Sequence, residues 1–321
     1  MAAAIALAGR GTGRTGNNPS VGCIIVKQGR VIGRGWTQSG GRPHAEAMAL
    51  VEAGGDAAGA TVYVTLEPCA HHSARGPSCA DILVSAKPAR VVAALTDPDP
   101  RTAGQGVARL RAAGVDVIQP MLADEARRGL AGFLSRMINL RPHVTLKLAT
   151  SLDGCIAMAD GSSRWITGDA ARAHTHLERA RCNAILVGAR TVAADQPALD
   201  VRLPGLEARS PRRIMLGGRV APEGWEVIRS PQEIAQLDCN TVLVEGGAQT
   251  ATAFLKSGLV DRLLLYRAPI LIGNGKHSLG DIGLDALGAA HDRWQLSDRR
   301  MLGKDLMEVY EAACLPASSQ T

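Results

Sequence analysis

The sequence predicts an α/β protein built as two units. Three observations lead there. Apolar runs of period two alternate with runs of helical period, which is the signature of strands and helices stacked in layers. That alternation stops around Asn139 to Pro142 and restarts at "HVTLKLATSLDG" (143–154). The chain of 321 residues is also long for a single core. The units are therefore drawn at 1–140 and 141–321, with no internal repeat and no low-complexity linker between them.

The elements follow in order. "MAAAIALAGRGTGR" has no basic stretch ahead of its apolar residues, so it reads as a first helix and not as a secretory leader. "VGCIIVK" (21–27) and "RVIGRGW" (30–36) form a hairpin turned at Gly29. "HAEAMALVEAG" (44–54) is a helix closed by Gly54 and Gly55. Then come a strand (61–67), a helix (78–86), a strand (89–95), the loop "DPDPR" (97–101), a helix (104–113) and the short strand "VDVIQ". This succession predicts a three-layer sandwich. In the second unit the pattern gives a helix near 169–181, strands at 183–188 and 212–217, and the strand and glycine turn "TVLVEGG" (241–247). A helix near 249–257 and the strand "DRLLLYRAPI" (261–270) complete it.

Composition narrows the function classes. Hydrophobic residues are 46% and charged residues 21%, the balance of a globular protein, and no apolar run is long enough to span a bilayer. Seven scattered cysteines, an odd number, argue against a disulfide framework and for a reducing cytoplasm. The net charge of +6 suits nucleic acid or a phosphorylated small molecule equally. With four Trp, three Tyr and two Phe, the chain lacks the stacking platforms that single strands need, so neither nucleic acid nor membrane is an expected partner.

By itself His44, at the mouth of a helix, reads as a polar cap. Downstream, however, "EPCAHHSARGPSC" places Cys69 and Cys79 around a loop with Gly and Pro, and Cys79 opens a second helix. One imidazole and two thiolates make a three-ligand zinc set with a fourth position left for water. Zinc lowers the pKa of its water to roughly 7, and helix N-termini at His44 and Cys79 favour thiolate and hydroxide. Glu46, two residues past His44, is better placed to move protons than to bind metal. Cys23 lies in an apolar strand and reads as core. "GTGRTG" (11–16) matches a dinucleotide fingerprint as a string, but no strand precedes it and no helix follows. It is read as a glycine loop beside the pocket.

"HAE" followed by "PC" resembles the zinc deaminases. "NNPSVGCIIVK" (17–27), "YVTLEPCAHH" (63–72) and the long insert before Cys79 resemble, within that class, the pyrimidine deaminase of riboflavin biosynthesis. The resemblance implies a cytidine-deaminase-like three-layer sandwich, His44, Cys69 and Cys79 on Zn2+, Glu46 as the catalytic proton shuttle, and Asn18 against the pyrimidine. It implies that His71 and His72 brace the site or face substrate. Two departures stand out. The insert "SARGPS" is longer than the usual Gly-Arg-Thr-Pro-Pro form, and Thr37 stands where a histidine is common.

In the second half "LVEGGAQT" suits phosphate binding at a helix start, though helices after glycine turns are common. "GARTVAADQPALDVR" (188–202) reads as a pocket lip or as a plain surface loop. With "KLATSLDGCIA", "SRWITG" and "VEGGAQTATAFL", these segments resemble the reductase domain of bifunctional riboflavin-biosynthesis proteins. That resemblance implies a dihydrofolate-reductase-like fold using NADPH. It places Ala149, Trp165, Thr191, Asp195, Gly247, Ala248 and Gln249 along the cofactor, and Ser163, Arg179, Leu199, Arg202 and Glu245 on a phosphoribosylated substrate. Arg179 and Arg202 have forks suited to phosphate. Lys147 and Asp153 sit in matching positions without an assigned role. Gln196 replaces a carboxylate, and Gly217 and Gly218 stand where a polar residue usually meets the cofactor ribose. The expected activity is deamination of 2,5-diamino-6-(5-phosphoribosylamino)pyrimidin-4(3H)-one followed by NADPH-dependent reduction of ribosyl to ribityl, in a homo-oligomer. The rivals are a nucleoside or nucleic-acid deaminase with an inactive or unrelated second domain, and a zinc-stabilised binding protein.

Overall fold

The hairpin turned at Gly29 forms. β1 (Gly22–Lys27) and β2 (Arg30–Trp36) meet through Gln28 and Gly29, both at positive φ, as a two-residue turn matched to strand twist requires. The computed structural model describes residues 1–73 and 75–313, in two compact units, Met1–Arg141 and Pro142–Thr321. In the first unit the strands β3 (Thr61–Val64), β4 (Arg90–Ala93) and β5 (Asp116–Ile118) complete a sheet of order β2-β1-β3-β4-β5. β3 is shorter than the 61–67 read from sequence; it stops ahead of Pro68, which has no N–H for a ladder.

Helices cover both faces of this sheet, and glycines show how closely. A Cβ on Gly22 would stand 2.0 Å from the carbonyl oxygen of Ala4 in α1 (Ala2–Ala8). On the opposite face, a Cβ on Gly35 would stand 2.0 Å from the Ala45 carbonyl of α2 (Ala45–Glu52). α3 (Cys79–Ala86) and α4 (Gln105–Ala112) follow, and the sandwich has its three layers. Two further helices, α5 (Ala123–Gly129) and α6 (Ala131–Ile138), occupy a stretch with no element expected. They bury Ala126, Leu130 and Phe133 in the same core as Val62, Leu83 and Leu110.

The second unit opens with β6 (His143–Thr150), whose alternating burial gives a strand packed on one face. After it come β7 (Cys155–Ala157), α7 (Asp169–Arg181), β8 (Ala184–Gly188), α8 (Ala189–Asp195), β9 (Arg212–Leu216) and β10 (Glu226–Ile228). β11 (Thr241–Val244), α9 (Ala248–Lys256), β12 (Arg262–Arg267), β13 (Lys276–His277), β14 (Trp294–Leu302) and β15 (Asp305–Ala312) complete it. The main sheet runs β10-β9-β8-β11-β6-β12-β15-β14, parallel from β10 to β12 and antiparallel thereafter. Leu146, Leu186 and Val244 pack with Phe254 of α9 on one face, while Ile185, Val187 and Leu243 pack beneath α8 on the other. α8 corrects a segment read as pocket lip or loop. Only Val192 of its seven residues is buried, so no apolar period was there to read. The β14–β15 hairpin was also missed.

Among the described residues no helix is long and apolar enough to cross a membrane. The six cysteines among them are free, with Cys23 fully buried as core; Cys314 lies outside the described residues.

Candidate active sites

His44 is the N-cap of α2 in extended backbone, and Glu46 sits in the helix's first turn. Cys79 is the first residue of α3, capped by Ser78, whose hydroxyl accepts from the Asp81 N–H at 3.2 Å. Arg109 locks this cap, reaching Ser78 Oγ at 3.1 Å and Asp81 Oδ1 at 2.8 Å. Cys69 comes from the segment after β3, and its thiol accepts from the Cys79 N–H at 3.3 Å. These elements bring the His44 Nδ1 to 3.2 Å from the Cys79 sulfur and 3.6 Å from the Cys69 sulfur. All three ligand atoms lie within 4.8 Å of one another. Zn–S near 2.3 Å and Zn–N near 2.0 Å set ligand atoms about 3.6 Å apart round a tetrahedral ion, so the trio fits zinc.

The electrostatics agree with the donor set. The hydrogen bond from Cys79 and the imidazole of His44 outweigh burial and hold Cys69 down to about 4. Cys79, hydrogen-bonded to that thiolate and buried, is pushed well up. A dication bound between them would hold both as thiolates.

The trio opens on a cavity of about 460 Å³, which His44, Glu46 and Cys69 line with Asn18, Thr37 and His71. Glu46 is 3% exposed, and burial pushes its carboxyl up. Asn18 Nδ2 donates to the Thr15 carbonyl at 3.2 Å, which fixes the amide at the wall. Thr37 spends its hydroxyl on the Val21 N–H at 2.9 Å. His71 meets Thr102 Oγ1 at 3.3 Å and His72 faces Asp81 at 3.4 Å, so neither joins the metal set. The glycine loop at 11–16 stands aside from the cavity, whose wall begins at Asn17; Gly11 packs on Ser20 and Thr37 instead.

Sequence reasoning passed over Asp97, Asp99 and Arg101 of "DPDPR", all of which line the cavity. Burial pushes Asp97 up to about 7. The repeated Asp-Pro was the available signal, but it reads equally as a turn. Glu67 was missed too. Its carboxylate accepts from the N–H groups of Asp97, Gly104 and Val107 at 3.2, 3.0 and 3.0 Å, tying the residue two before Cys69 to the start of α4. Glu67→Ala leaves these donors without an acceptor. We expect the first unit to lose about 2–3 kcal/mol and to release zinc at lower chelator concentration. Unchanged melting and unchanged zinc retention would refute this tie.

In the second unit, Gly188 and Gly246, at the ends of the neighbouring strands β8 and β11, both close on Thr250. A Cβ on either would lie 2.4 or 2.3 Å from a Thr250 side-chain atom. This packing draws α8, with Thr191 and Asp195, and the start of α9, with Gly247, Ala248 and Gln249, to one edge of the sheet. Ala149, near the end of β6, belongs to the same edge. Trp165 lies 66% exposed with the Arg172 guanidinium 4.9 Å above its ring.

Arg179 and Glu245 meet as a bidentate pair at 2.7 and 2.9 Å, and Arg179 Nη1 donates to the Asp200 carbonyl at 3.0 Å. The Arg179 fork is therefore committed within the protein. Arg202 keeps its side chain exposed, 3.7 Å from Asp200. Leu199 is core, 5% exposed. Ser163 is exposed and takes no part in the contacts that join Arg179, Asp200 and Glu245. Lys147 points over the Tyr266 ring at 5.8 Å, and desolvation lowers its ammonium despite Glu245 nearby. Asp153 accepts from Ile272 and Gly273 N–H groups and so anchors a loop.

Fold and site together define a zinc-binding deaminase domain joined to a reductase domain. The model of the cytidine and deoxycytidylate deaminase zinc-binding region matches residues 1–95, and that of the RibD C-terminal domain matches 142–231 and 232–307. The Riboflavin biosynthesis protein RibD of Escherichia coli K12 is 41% identical, over 95% of this chain and 96% of the relative. That of Mycobacterium tuberculosis H37Rv is 42% identical, over 92% and 91%. Among solved structures, Acinetobacter baumannii RibD superposes with a TM-score of 0.86 at 38% identity, covering 98% of each chain. The Thermotoga maritima diaminohydroxyphosphoribosylaminopyrimidine deaminase/5-amino-6-(5-phosphoribosylamino)uracil reductase gives 0.85 at 31%, covering 98% and 97%. The chain belongs to the RibD family and is a bifunctional deaminase and reductase of riboflavin biosynthesis. Its first unit is cytidine-deaminase-like and its second dihydrofolate-reductase-like, as the sequence motifs implied.

Proposed function

We propose that the first unit deaminates 2,5-diamino-6-(5-phosphoribosylamino)pyrimidin-4(3H)-one and that the second reduces the ribosyl chain of the product with NADPH. The observation that carries the reading is the His44, Cys69 and Cys79 trio opening on a cavity that also holds the buried carboxylate of Glu46. Bound zinc supplies Lewis-acid activation of water near neutral pH. Glu46 then takes a proton from the attacking water and delivers it to the departing amine. Asn18, held by Thr15, orients the ring, and burial of both cysteines excludes bulk water from the metal side.

For the second step, the N–H groups at Gly247 and Ala248 open α9 toward the crevice between β8 and β11, and a Cβ on Gly247 would meet no heavy atom within 4 Å. Backbone with that much free space suits a pyrophosphate. Bound NADPH supplies a hydride, and the chain's own task is to hold the opened sugar beside it. Arg202 is the exposed guanidinium available to the substrate phosphate, while Arg179 orients Glu245. Free cysteines support a reducing, cytoplasmic setting.

Supplying the phosphorylated diaminopyrimidinone together with NADPH, and weighing the products, tests both halves. We expect loss of ammonia with gain of water, followed by gain of two hydrogens. Turnover of cytidine or adenosine with none of the phosphorylated pyrimidinone would overturn the substrate assignment.

A further inference from the structure

α7 carries "HTHLERAR" (174–181), and its period puts His176 and Arg179, three residues apart, on one face. Both reach the segment after α8. Arg179 Nη1 donates to the Asp200 carbonyl at 3.0 Å, and His176 Nδ1 lies 3.1 Å from the same oxygen. Leu199 and Val201 are buried on either side of Asp200, and the Val201 N–H donates to Ser210 Oγ at 3.0 Å. The main chain leading to Arg202 is therefore held at several points, with or without His176.

The Arg202 side chain is held far less. It is exposed, and Asp200 Oδ1, 3.7 Å from its Nη1, makes no hydrogen bond. At that distance the carboxylate attracts the guanidinium without setting its direction. Among the described residues the one directed contact on the fork comes from His176, whose Nε2 stands 3.4 Å from Arg202 Nη2.

That contact fixes the state of the ring. A guanidinium donates and never accepts, so the Nε2 facing it must carry a lone pair. The ring proton then sits on Nδ1 and goes to the Asp200 carbonyl. The Arg202 main-chain N–H, 3.2 Å from Nδ1, would be served only by the other tautomer, which turns an N–H against the fork. Burial and the charges of Arg179 and Arg202 hold the imidazole below its ordinary 6.5 despite the nearby Asp200, so the ring is neutral in neutral solution and keeps its acceptor.

We propose that His176 is a positioning residue of the reductase, whose Nε2 holds the Arg202 fork turned outward for the phosphate of the substrate. A free arginine side chain gives up rotamer freedom when it binds, and one already held gives up less. The donors of the fork not facing His176 are left for paired hydrogen bonds to phosphate oxygens.

The inference rests on the reading of Arg202 as the phosphate contact, and the variants tell the two apart. NADPH oxidation with the deaminated, phosphorylated compound gives kcat and KM for the wild type, H176A, H176Q, R202Q and H176A/R202Q. R202Q is expected to raise KM on the order of 100-fold. H176A raises KM about tenfold and leaves kcat near the wild-type value, since ground state and transition state hold the phosphate alike. H176Q regains most of that loss, because its amide oxygen can accept from Nη2. In the R202Q background H176A adds no further rise, because its effect passes through the fork.

Fluorescence of Trp165, Trp225 and Trp294 on heating shows that the second unit is intact. Should H176A melt early, H176F fills the same space without an acceptor and gives the same tenfold rise. A rise of equal size with and without Arg202, no rise at all, or a fall in kcat at constant KM overturns the inference. A KM that R202Q leaves unchanged overturns the reading of Arg202 itself.

Discussion

Glu46→Gln is expected to abolish deamination while leaving reduction intact. A positioned proton donor and acceptor is worth about 10²- to 10⁴-fold in rate, and glutamine keeps the shape of the side chain but cannot exchange a proton. Glu46 and Glu67 are both buried carboxylates close to Cys69, and their surroundings differ. Glu67, 2% exposed, spends its oxygens on three main-chain N–H groups. Glu46, 3% exposed, stands in the cavity wall with His44 and in the field of His44 and Cys69. Of these two, Glu46 is the one left with oxygens to pass a proton to a reacting group. The checks are ammonia release from the phosphorylated diaminopyrimidinone, zinc content by atomic absorption, and NADPH oxidation with the deaminated compound. Ammonia release near the wild-type rate would remove Glu46 from the reaction and favour a zinc site that only stabilises the fold.

The metal trio was legible because zinc chemistry leaves its mark in residue type. Few structural reasons put a histidine at one helix start and a cysteine at another, with a second cysteine after Pro68. The supports of the trio left no such mark. Glu67 finds its partners 30 to 40 residues away in sequence, and Ser78 is tied to Arg109 across 31. Both depend on how α3 and α4 pack, which no local pattern records. The same holds for elements. β6 alternates cleanly and was read, whereas α8 buries a single residue and α5 and α6 follow a turn where the period is broken. In the second unit, the sequence suggested a phosphate fork at Arg179, but the fork closes on Glu245, a residue 66 positions on.

That closed pair carries the second large effect. Arg179→Ala is expected to destabilise the second unit by about 3–5 kcal/mol, the usual cost of leaving one buried charge without its partner. For a unit of this size the unfolding midpoint falls on the order of 10 °C. The side chains are 13% and 7% exposed, so water cannot replace the missing guanidinium. Replacing both residues together, as Arg179→Met with Glu245→Leu, recovers part of the loss, because the pair is then removed whole, while the desolvated Lys147 gives up the Glu245 charge beside it. Trp165, Trp225 and Trp294 all lie in this unit, so their fluorescence follows its unfolding. The pH dependence has a definite sign. Burial pushes the Glu245 carboxyl up, but the hydrogen bonds from Arg179 and the charge of Lys147 outweigh it, and the value lies below the ordinary 4.5. A depressed carboxylate contributes stability that is present above its unfolded pKa and lost as pH falls through the folded one. The wild type's advantage over Arg179→Ala is therefore full at neutral pH and shrinks in acid below about 4.5. Equal midpoints for the wild type and Arg179→Ala at neutral pH would show that the fork is free in solution. Arg179 would then be open to the substrate phosphate, and the division of labour with Arg202 would be reversed.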